Sequence, residues 1–158
     1  MIALRPARRA DADAVANVWA AAWCDGHLGH VPDRLVEVRT VESFRPRAAE
    51  RIANTTVAEV DGAVAGFVTV AGDEVEQVFV DAAHRGSGIA GRLLAEAERQ
   101  VAAAGHRSAW LAVVAGNARA RRFYERSGWR DDGPFEYAAE HDGTTIPVPC
   151  HRYVKTLG

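Results

Sequence analysis

The sequence predicts a mixed α/β fold with a mostly antiparallel central sheet and flanking helices. Three observations carry the prediction. Asp61-Gly62 and Asp142-Gly143 each stand between two runs rich in β-branched or aromatic residues, a strong hairpin signal. Between these hairpins the chain alternates strand-like and helix-like segments, from Val75 to Ser127. The length of 158 residues suits one domain, residues 1–158, large enough to bury a core. Hairpin, strand-helix-strand-helix, hairpin is the order of a mixed sheet rather than a doubly wound parallel one.

Each element has a local reason. Ile2 to Arg5 reads as a short strand. Asp11 is a suitable N-cap for a helix from Ala12 to about Trp23, whose Val15, Val18, Trp19 and Ala22 share one face. Asp25 to Arg39, broken by Gly26, Gly29 and Pro32, reads as irregular. Pro46 suits the first position of a second helix ending near Ile52. Thr55–Val60 and Ala63–Val70 are the first hairpin, and Val75–Val80 is a buried strand. A long helix runs from Gly88 to about Ala103, with Gly105 as its stop. Ser108–Val114 is the next strand. Asn117 caps a helix that Gly128 ends, and Phe135–Glu140 and Pro149–Thr156 form the last hairpin.

Composition excludes several classes. Apolar residues make up 48% and charged residues 25%, proportions of an ordinary globular protein. A net charge of −2 gives no reason to expect nucleic acid or an anionic membrane as partner. No apolar run has the length of a membrane span, and the N-terminus lacks a signal core, so a cytoplasmic protein is expected. Two cysteines, Cys24 and Cys150, are no disulfide framework. Cys24, His27 and His30 are spaced C-x2-H-x2-H, but a fourth ligand would have to come from afar, so no metal is expected.

The stretch His84 to Leu94, HRGSGIAGRLL, carries the chemistry. Gly86, Gly88 and Gly91 fall where strand becomes helix. Glycines there allow positive φ and let a ligand approach free N–H groups at a helix N-terminus, a site suited to phosphate or pyrophosphate. A turn needed only for its positive φ is the plainer alternative. Read as G-x-G-x-x-G, the segment matches the dinucleotide fingerprint. Against that reading, Asp81 to Arg85 separate strand from loop, and about 75 residues precede the strand where the fingerprint normally opens its domain. The acidic ribose ligand about 20 residues on is also missing.

In another frame Arg85 to Ala90, RGSGIA, fits R/Q-x-x-G-x-G/A, and the segment resembles the acyl-CoA pyrophosphate loop of the GCN5-related N-acetyltransferase (GNAT) superfamily. VFVDAAHRGSGIAGRLL is similar to that family's strand-loop-helix block. LAVVAGNARARRFYERSGW, Leu111 to Trp129, is similar to its second block, at the family spacing. The resemblance is clear from about Val57 to Trp129. It implies a sheet in which the strand at Val75–Val80 splays from Leu111–Val114. It also implies acetyl-CoA as cosubstrate, a small-molecule or peptide amine as acceptor, and pairing of many relatives into homodimers through sheet edges.

The resemblance also assigns residues. Pyrophosphate would lie on Arg85, Gly86, Ser87, Gly88, Ile89, Ala90 and Gly91. Arg85 and Arg92 are cations that could offset its charge, though a solvated arginine on a helix face is the commoner alternative. Pantetheine would lie along the main chain of Val78, Phe79 and Val80 and against Asn117, which also serves as an N-cap. Tyr124 would contact the cofactor and protonate the departing thiolate; a core aromatic is the alternative reading of that residue. Glu74 and Glu76, two apart on one strand face, are candidate general bases, costly to bury without purpose. Glu76 is preferred as the deeper one; both would be solvated if the strand start frays. The position on the next strand that carries a glutamate in some relatives is Ala112 here, which excludes a base there. Trp19, Trp23, His27, His30 and Phe44 would wall the acceptor side, closed by Tyr137, His141, Cys150 and His151. Cys150 and His151 are adjacent in a strand and point oppositely, so they make no nucleophile-base pair. The expected activity is acyl-CoA-dependent N-acyltransfer by direct attack of the amine. A non-catalytic acyl-CoA-binding or regulatory domain of the same fold is the alternative.

Overall fold

The predicted hairpins pair through the Asp61-Gly62 and Asp142-Gly143 turns, where Asp61 and Asp142 themselves take positive φ. The computed structural model describes residues 1–158. Its strands are β1 (Ile2–Pro6), β2 (Thr55–Val60), β3 (Ala63–Ala71), β4 (Glu74–Val80), β5 (Ser108–Val114), β6 (Arg130–His141) and β7 (Thr144–Thr156). They form one sheet in the order β1-β2-β3-β4-β5-β7-β6. Every neighbouring pair is antiparallel except β4 and β5. The helices are α1 (Ala12–His27), α2 (Asp33–Val38), α3 (Phe44–Arg51), α4 (Ile89–Ala103) and α5 (Ala118–Arg126).

The sheet separates two apolar cores. On one face α1 and α3 bury Val15, Trp19, Phe44 and Phe67. On the other, α4 seats Ile89, Leu93, Leu94, Ala97 and Val101 against Val68, Leu111 and Tyr153, each at most 2% exposed. Burying each large aliphatic of that stripe contributes about 1.5–3 kcal/mol, which fixes α4 and the loop before it on the sheet.

Four local expectations need correction. Asp11 has helical φ and ψ and caps nothing in α1. Its carboxylate accepts the Arg8 N–H at 2.7 Å and the Arg5 guanidinium at 2.8 Å, because a charged partner outcompetes a helix amide. The segment read as irregular holds the last turn of α1 and all of α2. Gly26 sits inside α1 because a Cβ there would meet the Asn117 side chain at 2.8 Å. That glycine permits close approach and is no breaker. Helix α3 starts at Phe44, which puts Pro46 in its first turn, where a missing N–H still costs nothing. The last hairpin is much longer than expected. Pro147 and Pro149 lie within β7 because β5 ends opposite Cys150, leaving β7 with one neighbour there.

Two irregularities position the site. The register of β3 against β4 shifts between Thr69 and Val70, leaving Glu76 as one extra residue on β4. Parallel pairing of β4 with β5 is confined to Glu74 and Trp110, after which the strands diverge.

Candidate active site

The divergence of β4 from β5 opens a cleft of about 430 Å³. Its walls include Val75 to Val80, Leu111 to Val114, the loop residues His84 to Gly86 and Gly88 to Gly91, and Asn117, Ala120, Phe123 and Tyr124 of the α5 segment. The sheet side of this cleft has unpaired backbone. Asp81 N–H donates to Ala65 C=O on β3, so by alternation the Phe79 main chain also turns to β3. The main chains of Val78 and Val80 therefore face the opening. Phe79 contributes its ring instead, which packs near Trp19, Phe67 and His27.

Gly86 and Gly88 have φ of 80° and 86°, and Gly88 is the N-cap of α4. No atom lies within 4 Å of a Cβ built at Gly86, Gly88 or Gly91. The loop thus presents N–H groups at a helix N-terminus with open space before them, the geometry of an anion site. Ile89 is 1% exposed and anchors the loop in the core, so only its main chain is offered. Ser87 does not line the cleft; its hydroxyl donates to the His84 carbonyl. Arg85 is held by Asp25 of α1 at 2.6 Å. Arg92 is diverted from the loop, donating to the Ile2 carbonyl at 3.0 Å.

Asn117 is the expected cap: its Oδ1 accepts the Ala120 N–H at 3.2 Å. Its side-chain amide remains beside Gly26 and lines the cleft. Tyr124 packs against Phe123, Trp129 and Tyr153, and burial pushes its phenol above the ordinary value. Its hydroxyl has no hydrogen-bond partner within the chain and borders the cleft, unlike that of a core tyrosine.

A second cavity, about 250 Å³, lies on the α1–α3 side. It meets the cleft at His27, Glu76, Gln77, Ala112 and Val114, which line both. The bulge on β4 brings Glu76 and Gln77 to this junction. Glu76 is ion-paired with Arg51. Glu74 accepts a hydrogen bond from the Tyr137 hydroxyl at 2.9 Å, and burial raises its carboxyl. His27 is pushed down to about 4 by burial, so it is neutral near pH 7. With its Nδ1 against the Trp23 carbonyl at 2.9 Å, its Nε2 is the lone-pair nitrogen.

Of the expected acceptor wall, Trp19, Trp23, His27, Tyr137 and Cys150 line this second cavity, whereas His30, Phe44, His141 and His151 do not. Phe44 is 1% exposed in the core, and His151 pairs with Asp131 on the opposite face at 2.9 Å. Burial raises the Cys150 thiol to about 11, so it is no thiolate. Sequence reasoning missed Arg39, Arg47 and Arg51, which also line the cavity. Their i, i+4 spacing on α3 would have placed Arg47 and Arg51 on one face, had the helix been aimed at the strand carboxylates.

Comparison with known proteins agrees with this geometry. Residues 18–129 match the family model described as Acetyltransferase (GNAT) family. No curated protein matches the chain in sequence. An N-acetyltransferase from Staphylococcus aureus superposes with a TM-score of 0.75 at 19% identity, over 100% of this chain and 99% of that one. A PaiA N-acetyltransferase from Thermoplasma acidophilum in complex with coenzyme A gives 0.71 at 18%, over 99% of each chain. YncA from Salmonella typhimurium, a putative acetyltransferase with its cofactor acetyl-CoA, gives 0.73 at 19%, over 100% of this chain and 95% of that one. The antiparallel sheet removes the doubly wound dinucleotide alternative. No helix is long and apolar enough to cross a membrane. With a family model covering most of its length and this splayed-strand sheet, the chain belongs to the GNAT family of acetyltransferases.

Proposed function

We propose that the protein transfers an acetyl group from acetyl-CoA to an amine by direct attack within the splayed-strand cleft. The observation that carries this reading is the meeting of two cavities at Glu76, one bordered by a glycine loop and unpaired strand, the other polar. Bound acetyl-CoA supplies an acetyl thioester. The N–H groups of the Gly86–Gly91 loop suit its pyrophosphate, and Arg119 and Arg126 of α5 add two exposed cations to the cleft wall. Val78 and Val80 offer main-chain groups to the pantetheine amides, and the Asn117 side-chain amide supports the same arm. A main-chain N–H on β4 would polarise the thioester carbonyl, and Val78 N–H faces the cleft whereas Phe79 N–H turns to β3.

An amine in the second cavity reaches the thioester only at the junction. Glu76 is the one carboxylate there, so it takes the amine proton as nitrogen bonds to the acetyl carbon. Arg51 holds Glu76 in place. The Tyr124 hydroxyl gives a proton to sulfur as the carbon–sulfur bond breaks. Holding both reactants in one oriented cleft supplies much of the rate gain.

Cofactor choice has a direct test. At a hundredfold excess over Kd, CoA or acetyl-CoA should stabilise the protein by about 2.7 kcal/mol, a Tm rise of about 5–10 °C, while NAD(H) should leave Tm unchanged. Stabilisation by NAD(H) alone would reject the assignment. Thiol release with a panel of amines separates an enzyme from a domain that only binds. For the base, Glu76→Gln should lower kcat by about 10²-fold, with Glu74→Gln costing under about tenfold. The reverse ranking would move the role to Glu74, whose raised pKa already suits a base.

A further inference from the structure

The second cavity has an unexplained polarity. Trp19 is 1% exposed, and its indole Nε1 has no hydrogen-bond acceptor. Arg47 Nη1 is likewise buried and unpartnered. Both residues line this cavity, and the Arg47 guanidinium lies 4.4 Å from the centroid of the Trp19 ring and 5.5 Å from that of Phe44. Arg39, 8% exposed, also lines it and bonds only the Glu140 carbonyl, at 2.7 Å. Neither Arg39 nor Arg47 has a carboxylate at salt-bridge distance. The carboxylates that face them are already engaged, Glu76 with Arg51 and Glu74 with Tyr137, and the Glu140 side chain is exposed.

Buried donors left unpaired are costly, and a buried guanidinium without a counter-ion is costlier still. Burial depresses the Arg47 guanidinium from its ordinary value. Because guanidinium holds its proton in proteins, that cost appears as attraction for an anion. With the Arg47 guanidinium stacked on the Trp19 ring and the Arg39 guanidinium lining the same cavity, the donors gathered there suit the two oxygens of a carboxylate. The cavity thus holds indole and guanidinium donors from α1, α3 and the residue that ends α2, and at its junction with the cleft the Glu76 carboxylate. A zwitterion would span it with its ammonium toward Glu76. Leu35, Trp23, Ala139 and Val148 leave an apolar wall for a side chain.

From this arrangement we infer that the acceptor is a free amino acid, its carboxylate bound by Arg47, Trp19 Nε1 and Arg39 while its amine is acetylated. The inference rests on the acetyl-transfer reading above and adds the substrate class. It makes Arg47 and Trp19 specificity-determining residues.

The test is a matched acceptor series with acetyl-CoA: the free L-amino acids, their amides, and the amines lacking the carboxylate. At least one amino acid should exceed its amide and its amine by about 10²-fold in kcat/KM, since a site built to bond a polar group rejects analogues lacking it. Arg47→Met and Trp19→Phe should each shrink that ratio by about tenfold or more, with the CoA-induced Tm rise reporting that the variants fold. Calorimetry gives a readout without turnover. The N-acetyl derivative of the preferred amino acid should bind with CoA present, and its amide should bind at least tenfold more weakly. Amides or plain amines that serve as well as amino acids would overturn the substrate class and leave acetyl transfer standing. Consumption of other amines but of no amino acid would do the same. Failure of acetyl-CoA to bind would instead defeat the acetyl-transfer reading; calorimetry of the free amino acids against their amides without CoA would then judge the carboxylate site, and equal binding of the two series would overturn it.

Discussion

Replacing Tyr124 by phenylalanine should lower kcat by about 10²–10⁴-fold, the range of a lost general acid. The ring stays, with its contacts to Phe123, Trp129 and Tyr153, so stability should change little. The hydroxyl removed has no partner inside the chain, so no buried acceptor is orphaned. KM for acetyl-CoA should move far less than kcat, because the lost interaction belongs to the transition state. The pH dependence has a definite sign. Burial favours the neutral phenol, so its pKa lies above the ordinary tyrosine value and the acid form persists throughout the neutral and mildly alkaline range. Any alkaline fall in wild-type kcat should therefore lie above about pH 10. Near wild-type turnover in the Phe variant would return Tyr124 to the core and leave another proton source.

The second large effect is expected at the loop. Gly88→Val should weaken CoA binding by about 10²-fold or more while the fold survives. At φ of 86° a β-branched residue is strained by upwards of about 1–2 kcal/mol, so the loop would shift its amides away from an anion. Its side chain would also fill the space before the α4 N-terminus, where no atom lies within 4 Å of the added Cβ. That same open space means no core contact is broken, so far-UV dichroism should be unchanged. Gly91 offers the control: it lies within α4 with equal room around its Cβ, and Gly91→Ala should leave the helix at least as stable. A folded Gly88→Val protein with unchanged CoA affinity would remove the loop from the pyrophosphate site.

The hairpin turns, the strand–loop–helix block and the Asn117 cap were legible because each is a local matter of backbone preference and apolar period. The glycine loop was legible for the same reason: positive φ and an open helix N-terminus are written in neighbouring residues. Local signals mislead where a distant group overrides them. Gly26 reads as a helix breaker until Asn117, far along the chain, is seen to need its space. Asp11 reads as a cap until Arg5 claims its carboxylate. Pro149 reads as the start of a strand until β5 is seen to stop short of it, which lets β7 run through it from Thr144.

The order of elements, the anion loop and the family all follow from short-range pattern at fixed spacing. Which groups share the chemistry depends instead on packing between elements far apart in the chain. A bulge of one residue turned Glu76 and Gln77 to the junction, and the divergence of β4 from β5 turned Val78 and Val80 to the cleft. Packing of α3 on α1 set Arg47 against Trp19 and left both with unpaired donors. No window of sequence contains these pairings. They arise because burial forces side chains from separate elements to answer each other's charge and hydrogen-bonding needs, and here two of them are answered by nothing within the chain.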